Sequence, residues 1–70
     1  MKDNHFGKIL KELRLVKNIS QRKLGEILGV ANQTISSWEK GINEPDLDTL
    51  VKISKFFDVS VDFLLGVEEI

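Results

Sequence analysis

The fold is decided by residues 20–41, SQRKLGEILGVANQTISSWEKG, in which two short helical patterns are separated by a tight turn. Ser20 stands where an N-cap residue would, because its hydroxyl can accept a hydrogen bond from a free backbone N–H of the following turn. A helix is therefore predicted over residues 21–28, and Gly29 supplies the positive φ that helix ends favour. Gly25 has no side chain and permits close approach of the next helix. The sequence thus predicts two short helices packed closely across a sharp turn.

The second helix of this pair is predicted from Asn32 to Lys40, closed by Gly41. At about 100° per residue, its apolar side chains fall in a narrow arc that should face the interior. These are Ala31, Ile35 and Trp38. The opposite arc carries only hydrogen-bonding side chains: Asn32, Gln33, Ser36, Ser37 and Lys40. Solvated helix faces are usually rich in Glu and Lys, whereas short amides and hydroxyls suit the edges of bases, where Asn or Gln can bond N6 and N7 of adenine.

Outside this stretch, caps and apolar spacing predict three more helices. The first ends near Asn18, and its inward stripe comprises Phe6, Ile9, Leu10, Leu13 and Val16. In the helix already predicted over residues 21–28, the residues expected to face inward are Leu24, Ile27 and Leu28. The helix that Asp46 can cap runs over residues 47–57 with one face made of Leu47, Leu50, Val51, Ser54 and Phe57. A last short helix over residues 61–65 is capped by Ser60 and stopped by Gly66. Strand-like alternation is weak, so a compact all-α bundle of five short helices is expected.

Composition narrows the possible functions. The chain has 70 residues, no Cys and one His, so thiolate chemistry and disulfides are excluded and a zinc site has almost no ligands. No metal and no cofactor are expected. The absence of an apolar run of about 18 residues and of a signal-peptide core predicts a cytoplasmic protein away from membranes. Residues 1–30 carry seven Lys or Arg against three Asp or Glu, and residues 31–70 carry three against eight. The basic half suits phosphates, although such mixed blocks also occur on simply solvated faces.

Two glycine-punctuated helices of this kind form a helix-turn-helix. At these residues the sequence resembles the lambda-repressor-like, Cro-type DNA-binding domains of phage and bacterial regulators. The resemblance lies in residues 20–30, SQRKLGEILGV, and 34–41, TISSWEKG, and continues at that family's spacing through Pro45, Leu47, Leu50, Ile53, Phe57, Val59, Ser60, Leu64 and Leu65. It covers about residues 6–66 of what is expected to be a single domain over residues 1–70.

The resemblance implies a sequence-specific regulator of transcription, most simply a repressor of phage or mobile-element type that reads the major groove with its third helix. The residues expected to contact bases are Asn32, Gln33, Ser37 and Thr34. Those expected to contact DNA phosphates are Gln21, Arg22, Ser36, Lys40, Asn43 and Lys17. Gln21 stands at the start of the second helix, where the family holds a phosphate with the side-chain amide and free backbone N–H groups. No residue is expected to be catalytic.

Other residues are expected to have architectural roles. The resemblance pairs Arg14 with Glu39 as an internal ion pair joining the first and third helices. Trp38 could stack on a base, but its angle places it inward, and His5 should be an exposed terminal residue. Ala31 occupies the cap position of the third helix, where the family often has Ser or Thr. A missing cap costs about 1 kcal/mol, so that helix could be loose until DNA orders it.

The expected partner is double-stranded operator DNA, with two-fold symmetric half-sites about 34 Å apart that bind a weak homodimer. Val67 and Ile70 could supply a self-contact strengthened on DNA. Two alternatives stay open. An antitoxin would use the same fold to bind DNA and, through its acidic half, a basic toxin. A protein-interaction module would keep the fold without binding DNA, and should carry acidic or bulky residues on the third helix's outer face. An enzyme is the least expected class, because no phosphate-binding glycine loop and no suitably placed carboxylate pair is found.

Overall fold

The computed structural model describes residues 5–67, which form five α-helices and, within that range, no strand. The helices are α1 (His5–Val16), α2 (Gln21–Leu28), α3 (Asn32–Glu39), α4 (Leu47–Phe57) and α5 (Val61–Leu64). The expected all-α five-helix bundle is confirmed. Three ends fall short of the expected positions: α1 stops before Asn18, while Lys40 and Leu65 are the C-caps that follow α3 and α5.

Side-chain caps fix where three of the helices begin. Ser20, Asp46 and Ser60 each accept a hydrogen bond from the backbone N–H three residues on, at 2.9, 2.8 and 2.9 Å. Gly29 closes α2 with φ 78° and donates its backbone N–H to the carbonyl of Gly25. These local bonds satisfy groups that a helix end otherwise leaves without partners.

One core holds the helices together. Its buried apolar residues come from every helix: Phe6, Leu10, Leu24, Leu28, Ile35, Trp38, Leu50, Ile53, Phe57 and Leu64. Phe6 and Trp38 meet edge to face with their ring centroids 6.4 Å apart, which joins α1 to α3. Trp38 is therefore part of the core, as its angle on the helix predicted. In addition, Lys52 of α4 donates a hydrogen bond to the carbonyl of Leu28 in α2 at 3.5 Å.

Four residues expected to face inward on α1, α2 and α4 are exposed: Val16, Ile27, Leu47 and Val51. The other residues expected on these faces are buried or half-buried, so each buried face overlaps the expected one and also includes further residues. On α1 the buried face includes Gly7 and Arg14, and on α2 it includes Gly25. On α4 it includes Ile53, which was not among the expected residues. The predictions for Val16, Ile27, Leu47 and Val51 were wrong because apolar spacing does not reveal that glycine and paired charged residues also occupy interhelical contacts.

Ala31 was also expected to face inward and is exposed. It is the N-cap of α3, and its backbone is extended, with φ −70° and ψ 152°. A position computed on a helical wheel does not apply to a residue outside the helix, which is why this prediction was wrong.

Candidate nucleic-acid interface

The third helix is held firmly at its C-terminal end. Ile35, Trp38 and Glu39 are its buried residues, and Ile35 is fully covered. Its packing on α2 depends on Gly25, where an added Cβ would lie 2.6 Å from the backbone oxygen of Val30. The Val30 backbone N–H donates to the carbonyl of Gly25 at 2.8 Å. The orientation of α3 relative to α2 is therefore set by backbone contact.

The N-terminal end of α3 is exposed. Asn32 and Gln33 are both exposed and lie beside exposed Ala31, which makes no side-chain cap hydrogen bond. The other predicted base-contacting residues, Thr34 and Ser37, are half-buried, as is Ser36. The side chains free to reach a partner are thus concentrated in the first turn of α3, and both end in an amide.

The start of α2 is built differently. The Ser20 hydroxyl accepts the backbone N–H of Lys23, and the first N–H groups of a helix have no partner within it. Gln21 is half-buried, and its side-chain Nε2 donates to Glu39 Oε1 at 3.1 Å. The amide expected to contact a phosphate is therefore also bound to the last residue of α3.

Glu39 is the centre of a buried network that joins three helices. Arg14 Nε donates to Glu39 Oε2 at 2.7 Å, and Arg14 Nη2 donates to Glu39 Oε1 at 3.0 Å. The remaining Arg14 nitrogen, Nη1, donates to the carbonyl of Ile19 at 2.9 Å. Hydrogen bonding to Glu39 raises the pKa of the Arg14 guanidinium, and burial opposes that effect. Arg14 and Glu39, the pair assigned an architectural role from the sequence, are thus in bidentate contact.

The remaining candidates for phosphate contact lie in different parts of the structure. Lys40 and Asn43 are exposed just after α3. Arg22 is exposed on α2, with its Nε 3.8 Å from Glu26 Oε2. Lys17 lies elsewhere, with its ammonium 5.3 Å from the ring centroid of Phe56 on α4. The structure therefore brings Gln21 against the end of α3 and directs the Lys17 ammonium toward α4.

A second feature of the surface is an apolar cleft that lies beside α4. The segment between α3 and α4, together with α4 and the end of α5, forms an apolar cleft of about 200 Å³ lined by Glu44, Pro45, Leu47, Leu50 and Leu65. Leu47 is 80% exposed at its edge, and Val67 is 71% exposed. Ile70, the other predicted self-contact residue, lies outside the described residues. The apolar spacing of α4 predicted that Leu47 lies in the core, so this cleft was not foreseen.

Neither a metal site nor a membrane span is evident in the described part of the chain. Residues 5–67 contain no group of three or more His, Asp or Glu side chains placed to share an ion. Over the same residues, every helix is too short or too polar to cross a bilayer.

Comparison with known proteins gives consistent matches over most of the chain. A helix-turn-helix family model matches residues 10–64. The HTH-type transcriptional regulator ImmR of Bacillus subtilis (strain 168) is 41% identical over 65 residues, which cover 93% of this chain and 51% of that protein. The HTH-type transcriptional activator BcrR of Enterococcus faecalis is 45% identical over 65 residues, which cover 93% of this chain and 32% of that protein. The chain therefore spans about half, or less, of these relatives.

A solved structure matches the whole arrangement of helices. It is the crystal structure of the P22 c2 repressor in complex with synthetic operator 9T in the presence of Tl+. The TM-score is 0.84 at 35% sequence identity, with 90% of this chain and 96% of that chain covered. The agreement includes both the fold and the sequence.

Proposed function

Because the chain belongs to the lambda-repressor-like, Cro-type helix-turn-helix family, we propose that it binds double-stranded DNA sequence-specifically and regulates transcription. The observation that carries the proposal is the first turn of α3, where Asn32 and Gln33 are exposed on a helix otherwise anchored in the core. Two amides on a rigid helix can make paired hydrogen bonds to adenine edges in a major groove. A mobile helix would not hold the two amides in line with the base edges.

The roles of the surrounding residues follow from their exposure. Asn32 and Gln33 read bases, while the half-buried Ser37 and Thr34 make secondary base contacts through short hydroxyls. Phosphates are held by residues at the start of α2 and around α3: Gln21, Arg22, Ser36, Lys40 and Asn43. Lys17 is the weakest member of this set, because its ammonium already lies over Phe56.

We propose that the protein acts as a repressor of phage or mobile-element type. The P22 c2 protein, whose structure this chain matches, is itself a repressor solved on an operator. Repression requires only that the bound protein block polymerase, and no reaction is catalysed. The proposed DNA target implies that the protein acts in the cytoplasm.

We further propose that two copies bind a two-fold symmetric operator as a homodimer that is weak in the absence of DNA. The cleft beside α4 supports this because Leu47, which lines the cleft together with Glu44, Pro45, Leu50 and Leu65, is 80% exposed. In a two-fold dimer the same apolar surface of two copies can cover such exposed residues. Leu47→Asp should abolish cooperative binding to the full operator and leave half-site binding intact. Equal losses on full and half-sites would contradict the dimer.

Selection of bound sequences from a random DNA pool, followed by titration across a salt series, tests the proposed function. We expect an enriched two-fold motif with half-sites about one helical turn apart and a salt dependence reflecting several phosphate contacts. Lys40→Gln should reduce the salt slope, whereas Lys55→Gln, an exposed cation on α4, serves as the matched control. Strong salt dependence without an enriched motif would refute sequence-specific recognition.

A further inference from the structure

The Glu39 carboxylate has more hydrogen-bond partners than an ion pair with Arg14 requires. It accepts two bonds from Arg14 on α1 and a third from the side-chain amide of Gln21 on α2. The Glu39 side chain is 4% exposed, and the Arg14 side chain is 10% exposed. The third bond therefore leads from a buried charge pair to the half-buried Gln21 at the start of α2.

This bond fixes which way the Gln21 amide faces. An amide has a donating nitrogen and an accepting oxygen, and only the nitrogen can face a carboxylate favourably. Contact with Glu39 therefore excludes the flipped amide, in which the Gln21 oxygen would repel Glu39. The bond occupies one of the two Nε2 protons and leaves the second for another acceptor. It also immobilises a long side chain whose ordering would otherwise be part of the cost of binding DNA.

Arg14 is needed for this arrangement to tolerate an approaching anion. A lone carboxylate beside a phosphate site would repel the phosphate, whereas the two bonds from Arg14 offset the charge of Glu39. The group that α2 contributes to this network is then the neutral amide of the half-buried Gln21. It lies in the first turn of α2, where backbone N–H groups favour an anion.

We propose that Glu39 is a positioning residue for DNA binding, which orients the Gln21 amide as a phosphate donor. The inference rests on the proposed function, since the phosphate belongs to the operator. It predicts that a buried residue of α3 affects DNA affinity through α2, independently of its effect on stability.

A double-mutant cycle on operator affinity separates this role from a purely structural one. In the presence of Gln21, Glu39→Gln should weaken binding by about fivefold or more, because a glutamine at position 39 accepts either face of the Gln21 amide. In a Gln21→Met background the same change should weaken binding by less than about twofold. Binding constants are to be corrected for the folded fraction of each variant.

Arg22→Gln supplies the control background. It removes another predicted phosphate contact from the same turn of α2, and the Arg22 ion pair is with Glu26. The effect of Glu39→Gln should keep its full size there. Equal effects of Glu39→Gln in all three backgrounds would overturn the positioning role, while specific binding by the unaltered protein would leave the proposed function standing. If the unaltered protein binds no DNA specifically, both proposals fail.

A second measurement needs no substitution and covers the case in which Glu39→Gln does not fold. In NMR spectra of the unaltered protein, the two Gln21 side-chain amide protons should be distinct, and one should exchange slowly with solvent. Both resonances should shift on addition of operator. Rapidly exchanging amide protons that do not respond to operator would overturn the inference.

Discussion

Helices α2 and α3 have eight residues each and pack against one another, yet they begin in opposite ways. The N-terminus of α2 is closed by the Ser20 hydroxyl, and its C-terminus is closed by Gly29. The N-terminus of α3 has Ala31 at the cap position and no side-chain hydrogen bond. The supporting helix is thus fixed at both ends by local bonds, whereas the proposed reading helix is open at the end that carries Asn32 and Gln33.

The difference is compensated at the other end of α3. Trp38 and Glu39 are buried there, and Glu39 is bound to both Arg14 and Gln21. A helix held by tertiary contacts does not need strong local caps, because packing supplies most helical stability in a folded protein. We conclude that α3 is anchored through its C-terminal end so that its first turn can remain available.

The largest effect should come from breaking that anchor. Arg14→Met leaves the Glu39 carboxylate buried without its ion-pair partner and should lower the free energy of unfolding by about 3–5 kcal/mol. Urea denaturation measures it. Arg22→Met is the matched control, because it removes an exposed ion pair at 3.8 Å and should cost less than about 1 kcal/mol. Similar losses from the two changes would refute the anchoring role of the buried pair.

The next effect concerns the packing of α3 on α2. Gly25→Ala places a methyl group against the backbone oxygen of Val30 and should destabilise the fold by about 1–3 kcal/mol. It should also shift the amide resonances of α3. Gly29→Ala meets no atom within 4 Å but requires φ +78°, so it should cost about 1 kcal/mol from backbone strain without moving α3. Unchanged α3 resonances in Gly25→Ala would contradict the close contact.

Substitutions at the two N-cap positions test whether α2 and α3 differ in how their first turns are held. Ser20→Ala should destabilise the protein by about 1 kcal/mol, because the Lys23 N–H loses its acceptor. Ala31→Ser should stabilise it by a similar amount, because the first turn of α3 gains one. Thermal unfolding of both variants measures whether each change raises or lowers the stability. A loss of stability in Ala31→Ser would mean that the start of α3 is already satisfied by other contacts.

The smallest effect is a dependence on pH at the start of α4. Hydrogen bonding by Thr49, through its side chain and its backbone N–H, holds the pKa of Asp46 below its usual value. A lowered pKa in the folded state stabilises the protein above the unfolded pKa of about 3.9, and this contribution is lost as the pH falls through the folded value. The stability difference between the unaltered protein and Asp46→Asn should therefore be constant above about pH 5. Below about pH 4 the unaltered protein should lose stability relative to Asp46→Asn. A pH-independent difference would contradict this cap.

Much of the fold could be predicted from the sequence because it is encoded locally. Ser20, Asp46 and Ser60 mark helix starts through bonds that span only three residues. The edges of each buried face were less predictable. Arg14 and Gly25 lie in helix contacts that a pattern of apolar residues does not reveal, and Val16 and Ile27, which that pattern placed inward, are exposed.

The candidate site divides in the same way. The exposed amides of Asn32 and Gln33 followed from helical spacing. The Gln21–Glu39 hydrogen bond joins residues 18 apart and depends on how α2 crosses α3, which no local pattern specifies. The apolar cleft beside Leu47 was missed for a related reason, since it is formed by two separate parts of the chain.

In the proposed function, the first turn of α3 reads bases, while the exposed Lys40 after it binds only phosphates. This difference can be measured by comparing the affinities of Gln33→Ala and Lys40→Gln for every single-base variant of the selected operator. We predict that Gln33→Ala loses about 1–3 kcal/mol of discrimination at one or two base pairs, whereas Lys40→Gln weakens all variants about equally. If both changes weaken every variant to the same extent, α3 does not read the sequence.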